Sequence, residues 1–163
     1  MSRGRTIRIR DAAGADLAFI VEANARMASE TEHKRLDRAT LERGVRGVLD
    51  DPARGFYLVA EDDGERLGCL LVTREWSDWR NGDWWWLQSV YVMPDARRVG
   101  VFRAMYGEVE RRARASAGVI GLRLYVDRDN VRAQATYAAL GMVETAYRLH
   151  ECEWIPARTR AGR

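Results

Sequence analysis

The sequence predicts a mixed α/β domain, and three observations carry that prediction. Strand-like and helix-like patterns alternate along all 163 residues. Between Trp84 and Ala113 a strand runs through a basic, glycine-containing turn into an amphipathic helix. A second strand, turn and helix follow between Leu122 and Met142. No internal repeat or low-complexity linker interrupts this order, so one domain is expected over residues 1–163, with its core at about 6–154.

Taken in order, Thr6–Arg10 alternates as a first strand, and Asp16–Met27 carries Leu17, Ile20, Val21 and Ala25 on one helical stripe. Asp37 or Thr40 can cap a second helix through Leu49, weakened by Gly44 and Gly47. Phe56–Glu61 and Arg66–Trp76 read as strands joined by the turn Asp62-Asp63-Gly64-Glu65. Arg80-Asn81-Gly82-Asp83 makes a hairpin turn, because Asn-Gly tolerates positive φ angles. It leads into Trp84–Val92, whose aromatic and β-branched content reads as a buried central strand. Phe102, Met105, Tyr106, Val109 and Ala113 then recur at helical spacing, which puts Phe102 on the core side of that helix. Leu122–Val126 is a short strand, Asn130 an N-cap, and Gly141 a left-handed helix terminator. Val143–Trp154 is expected as a last strand or hairpin.

Composition narrows the function classes. A content of 47% hydrophobic and 31% charged residues is that of an ordinary globular protein. The net charge is only +3, and basic residues are interleaved with acids except in Arg158–Arg163, which reads as a flexible tail. Trp84, Trp85 and Trp86 fall within a strand instead of alternating with basic residues on an exposed platform, so nucleic acid is not expected as a partner. No apolar run approaches the roughly 20 residues of a membrane helix, and Met1–Arg5 leads into no apolar region. Neither a membrane partner nor a signal peptide is therefore expected, and the location is read as cytoplasmic. Cys69 and Cys152, both in expected strands, read as small core residues. With His33 and His150 they form no close ligand pair, so no metal is expected.

Chemistry concentrates in the two strand-turn-helix units. In the first, the leading N–H groups of a helix lack internal partners and carry partial positive charge, so an anion can be held by backbone alone. Arg97, Arg98 and Arg103 would add full charges, and Gly100 would let a ligand approach the backbone closely. The same pattern also suits an ordinary turn with solvated arginines. In the second unit, Tyr137 lies seven positions after Asn130, about two turns on and about 20° off in azimuth, so both polar groups can address one side. Each also has a plain structural use, Asn130 as a cap and Tyr137 as a core residue with a wet hydroxyl.

Together the two units resemble the GCN5-related N-acetyltransferase (GNAT) family. Its first signature, approximately Val-x-Pro-x-x-Arg-Gly-x-Gly-x-Gly/Ala, lies on Val92 to Phe102. Its second, Asn-x-x-Ala-x-x-x-Tyr-x-x-x-Gly-Phe/Met, lies on Asn130, Ala133, Tyr137, Gly141 and Met142. Two positions depart from the pattern: the family's first glycine is Arg98 and its last small residue is Phe102. Backbone N–H contacts survive such substitutions, whereas the depth at which a pyrophosphate settles is put in question.

The resemblance implies a twisted, mostly antiparallel sheet splayed at its fourth and fifth strands and flanked by about four helices. It implies acetyl-CoA as cosubstrate and transfer of the acetyl group to a primary amine of a small molecule or protein. The pantetheine arm would pair with the splayed edge at Val90 and Val92, and a backbone N–H near Val90 or Tyr91 would stabilise the oxyanion. Arg97, Arg98, Val99, Gly100, Val101, Phe102 and Arg103 would surround the pyrophosphate, with Asn130 and Tyr137 as further contacts. Tyr137 would protonate the departing thiolate; a phenol near pKa 10 is protonated at neutral pH, yet can share its proton with a thiolate. Members are often dimers, so a homodimer is a further expectation, although no feature of the sequence identifies an interface.

The general base stays open. Many members carry a glutamate on the strand before the phosphate loop, and here Trp84–Val92 holds no acid. Glu32 is the candidate put forward, with Glu30, Glu151, Glu153 and a water route through Gln88 or Ser89 as alternatives. That gap also admits a second class, an acyl-CoA-binding sensing module without turnover. The segment Glu75–Asp83 has two readings as well: an aromatic and acidic receptor for a cationic amine, or a polar hairpin with its tryptophans folded onto the core.

Overall fold

The computed structural model describes residues 6–154, so the expected tail at 155–163 lies outside the described residues. The elements are β1 (Arg8–Asp11), α1 (Leu17–Glu32), α2 (Arg38–Asp50), β2 (Phe56–Asp62), β3 (Glu65–Ser77), β4 (Gly82–Val92), α3 (Val101–Ala115), β5 (Val119–Leu124) and α4 (Val131–Ala139). One sheet takes the strands in the order β1-β2-β3-β4-β5. The first three pairings are antiparallel, and β4 and β5 run parallel. The chain falls into two compact units that divide after Leu124, the first holding the sheet with α1, α2 and α3, the second holding α4.

In the first unit the two-residue strand period sorts side chains to two faces. Tyr57, Val59, Cys69, Leu71 and Tyr91 pack with Ile20, Val21 and Ala23 of α1 and Val45 of α2. Leu58, Leu70, Val72, Trp85 and Leu87 have the opposite parity and are buried. α3, which also packs on the sheet, buries Val101, Met105, Val109 and Ala113 along its helical stripe. Asp16, buried at the start of α1, accepts from Arg10 (2.7 and 3.0 Å), Arg66 (2.6 Å) and the Ala13 N–H (2.8 Å). The Arg10 guanidinium above all holds its carboxyl far below the usual carboxylate range, so this acid is a fastener of α1 to the sheet.

The expected caps and turns are where their chemistry puts them. Asp37 accepts from the Thr40 N–H at 2.8 Å and begins α2. Asn81 takes the positive φ of the hairpin turn, 49°, alone. Gly82 serves packing instead: a Cβ there would stand 2.5 Å from Ile120 Cγ2 and 2.6 Å from the Gly118 carbonyl oxygen.

Several expectations are corrected. The fifth strand is Val119–Leu124, not Leu122–Val126, because parallel pairing with β4 already begins at Asp83↔Val119. Trp85 is buried, but Trp84 and Trp86 lie only half-buried on the other face of β4, so this strand is covered on one side over its first half. Val101 takes the core position expected of Phe102, which is half-buried. Residues 143–154 form neither strand nor hairpin, and Cys152 is exposed in irregular chain. Strand pairing needs a ladder partner for each backbone N–H and C=O, and the second unit contains a helix but no strand among its described residues.

Candidate active site

The site grows from an irregularity in β4. Leu71 pairs with Gln88 but Cys69 pairs with Tyr91, so β4 holds one extra residue between those pairs. Ser89 sits there with φ 49°, a left-handed conformation at a bulge. The extra residue reverses the strand's parity. Trp84, Trp86 and Gln88 share a face with Thr73 and Glu75 of β3, and beyond the bulge Tyr91, which would otherwise join Trp85 and Leu87 under α3, turns to the α1 side. Pairing of β4 with β5 stops at Leu87↔Leu124, just before the bulge. Gln88–Val92, which includes the predicted contacts Val90, Tyr91 and Val92, therefore continues without a β5 partner. β5 itself ends at Leu124.

At the end of β4 a single 3-10 turn, Pro94–Ala96, turns the chain toward α3. Arg98 has φ 67° and Gly100 φ 91°, so the residue in place of the family's glycine adopts a backbone shape that glycine favours. Gly100 is the N-cap of α3 without a side-chain capping bond, and a Cβ on it would meet open space. The first intrahelical bond runs from the Ala104 N–H to the Gly100 carbonyl at 2.9 Å, and the N–H groups of the first turn lie ahead of it. Val99, Arg98 and Arg103 are exposed around this end, and among the described residues neither arginine has a carboxylate partner. A glycine-capped helix end with two uncompensated guanidiniums fits a pyrophosphate group.

Arg97 is placed differently. Its Nη2 donates to Glu30 Oε2 at 2.7 Å, and its Nε donates to the Val92 carbonyl at 3.0 Å. The other Glu30 oxygen accepts from the Tyr91 hydroxyl at 2.7 Å, and the Arg97 guanidinium lies 5.4 Å from the centre of the Tyr91 ring. These contacts tie the last turn of α1 to the far end of β4. Hydrogen bonds from Tyr91 and then Arg97 hold the Glu30 carboxyl below its usual range, the reverse of what a general base near neutrality requires. Glu32, one half-turn on, pairs with Lys34 at 2.7 Å. The sequence reading assigned Tyr91 a backbone role only; its side-chain bond to Glu30 depends on the parity change at Ser89, which no glycine announces.

The open face of β4 carries a second cluster. Arg123 of β5 donates to Glu75 at 2.9 Å and lies 4.2 Å from the Trp84 ring centre, while Trp86 Nε1 also donates to Glu75. Of the segment Glu75–Asp83, read as a receptor for a cationic amine, Glu75 thus already holds a guanidinium of the chain itself. Trp76 and Trp79, at 60% and 83% exposure, are not folded onto the core. Gln88 donates to the Thr73 hydroxyl at 2.6 Å.

In the second unit Asn130 Oδ1 accepts from the Ala133 N–H at 3.0 Å and caps α4. Tyr137 lies two turns along, its carbonyl accepting from the Leu140 and Met142 N–H groups as Gly141 takes φ 83°. Burial pushes the Tyr137 phenol above its ordinary value, so it is protonated at neutral pH. Among the described residues no three His, Cys, Asp or Glu side chains group as a metal site, and no helix is long and apolar enough to cross a membrane.

The Acetyltransferase (GNAT) family model matches residues 17–142, and the chain belongs to this family. A possible acetyltransferase from Clostridium difficile 630 superposes with a TM-score of 0.86 at 39% identity, over 92% of this chain and 99% of that one. A predicted acetyltransferase from Clostridium acetobutylicum, solved with acetyl-CoA, gives a TM-score of 0.74 at 15% identity, covering 90% and 96% of the two chains. An aminoglycoside N-acetyltransferase in complex with CoA gives 0.74 at 18% identity, covering 95% and 99%. These last two likenesses are of fold. Among curated proteins none matches the sequence.

Proposed function

We propose that the protein is an acyl-CoA-dependent N-acetyltransferase that moves an acetyl group from acetyl-CoA to a primary amine by direct attack on the thioester. One observation carries this reading: the same strand that loses its β5 partner after Leu87 leads through the Pro94–Ala96 turn to the arginine-flanked start of α3, which has no side-chain cap. An edge of unpaired peptide groups suits a peptide-like pantetheine arm, and the helix end suits the pyrophosphate that follows it.

In this reading Val90 and Val92 pair with the arm. The backbone of Arg98, Val99, Gly100, Val101, Phe102 and Arg103, with the Arg98 and Arg103 charges, holds the pyrophosphate. Arg97 and Asn130 make further contacts. The amine nitrogen forms a bond to the acetyl carbonyl carbon, and a backbone N–H near Val90 or Tyr91 stabilises the oxyanion. As the carbon–sulfur bond breaks, the Tyr137 hydroxyl gives its proton to the thiolate, and Glu32 takes the proton lost by the amine. The acceptor is a small-molecule or protein amine, and the reaction uses no metal.

Isothermal titration of acetyl-CoA beside a thiol-release assay on pooled amines tests this. Binding with thiol release on particular amines supports the transferase. Binding with no release favours a sensing module or an acceptor outside the pool, and absence of binding removes the coenzyme site. If Glu32 is the base, Glu32→Gln flattens the acidic limb of the pH–rate profile; an unchanged limb excludes it.

A further inference from the structure

Three arginines flank the start of α3, and only Arg97 is neutralised. Arg98 and Arg103 have no carboxylate partner among the described residues, whereas Arg97 is held by Glu30 on one side and the Val92 carbonyl on the other. Glu30 belongs to α1, across the end of β4 from the turn. We infer that Glu30 is a positioning residue that competes with a bound pyrophosphate for Arg97 and so sets coenzyme affinity from α1, an inference that rests on the proposed coenzyme site.

The pair is built to exchange. Its side chains are 39% and 40% exposed, so water screens the attraction and the ion pair is weak. A pyrophosphate brings more negative charge, and the planar guanidinium fork matches two of its oxygens. Turning Arg97 toward that anion also releases the Val92 carbonyl, an acceptor on the β4 edge assigned to the pantetheine arm. Capture of the pyrophosphate thereby prepares the edge for the rest of the coenzyme. Tyr91 remains on Glu30 in both arrangements, because it uses the other carboxylate oxygen.

Glu30→Gln keeps an oxygen acceptor for the Tyr91 hydroxyl and removes the charge that holds Arg97. Calorimetric titration of CoA into wild type, Glu30→Gln and Tyr91→Phe, with an NMR titration of pantetheine, separates the effects. Glu30→Gln should bind CoA about two- to fivefold more tightly. The gain should shrink as salt is raised, and pantetheine, which has no pyrophosphate, should bind the two proteins equally. Tyr91→Phe retains the Glu30–Arg97 pair and should show no tightening. If wild type binds CoA and Glu30→Gln binds it equally or more weakly, the competition is overturned while the coenzyme site stands. If neither binds CoA, the coenzyme site falls and the competition with it.

Discussion

The N-termini of α3 and α4 both follow a short turn, and they treat their backbone donors in opposite ways. At α4 the Asn130 side chain accepts from the Ala133 N–H, so one of the helix's leading donors is satisfied by its own cap. At α3 the N-cap is Gly100 in the left-handed region, with no side-chain acceptor and arginines at 97, 98 and 103. A capped helix end is a structural joint, whereas an uncapped one with surplus positive charge is a place for an anion. In the proposed function this becomes a division of labour, with α3 contributing backbone donors and α4 a side chain, Tyr137.

The largest effect tests that division from the α4 side. Tyr137→Phe should lower kcat by about 10²-fold and leave the CoA dissociation constant unchanged. Single-turnover kinetics beside calorimetry would measure both, and full turnover in the variant would remove Tyr137 from the mechanism. Next, giving α3 an acceptor of its own should abolish the contrast. Gly100→Asp should weaken CoA binding about tenfold or more, because a carboxylate placed there repels the pyrophosphate and takes the donors. Gly100→Ala carries the same strain at φ 91°, about 1–2 kcal/mol, without the charge. Equal CoA affinity in these two variants would mean that the α3 donors hold no anion.

Smaller effects sharpen the structural half of the comparison. Asn130→Ala should destabilise the chain by about 1 kcal/mol in urea unfolding, since it removes the cap of α4. No loss would show that this helix does not depend on its cap. The least effect belongs to Arg98→Gly. Relief of the left-handed conformation is partly offset by the greater backbone freedom of glycine in the unfolded chain, leaving a gain below about 1 kcal/mol and a small rise in Tm.

Much of this was legible from local chemistry. Asp37, Asn130 and Gly141 act within a few residues of themselves, and their side chains or backbone preferences mark helix ends wherever the helices pack. The apolar stripe of α3 was equally plain, apart from its first turn, where Val101 instead of Phe102 faces the core. Expectations failed where a partner distant in sequence decided. Val143–Trp154 has strand-like alternation, but a strand exists only when another supplies its ladder, and its own unit has none among the described residues.

The site divides along the same line. The sequence by itself determined the order of elements, the positions of the two motifs, the glycine at the head of α3 and the fact that β4 carries no acid after Asp83. Only the tertiary structure decided that Ser89 takes a left-handed conformation, that Tyr91 consequently faces α1, and that Arg97 spends its charge on Glu30, 67 positions away. It also decided that Arg123 lies over Trp84 beside Glu75. Capping and periodicity are short-range preferences that a few consecutive residues express completely. A bulge exists only as a mismatch of register between two strands, and an ion pair only when folding brings its members together.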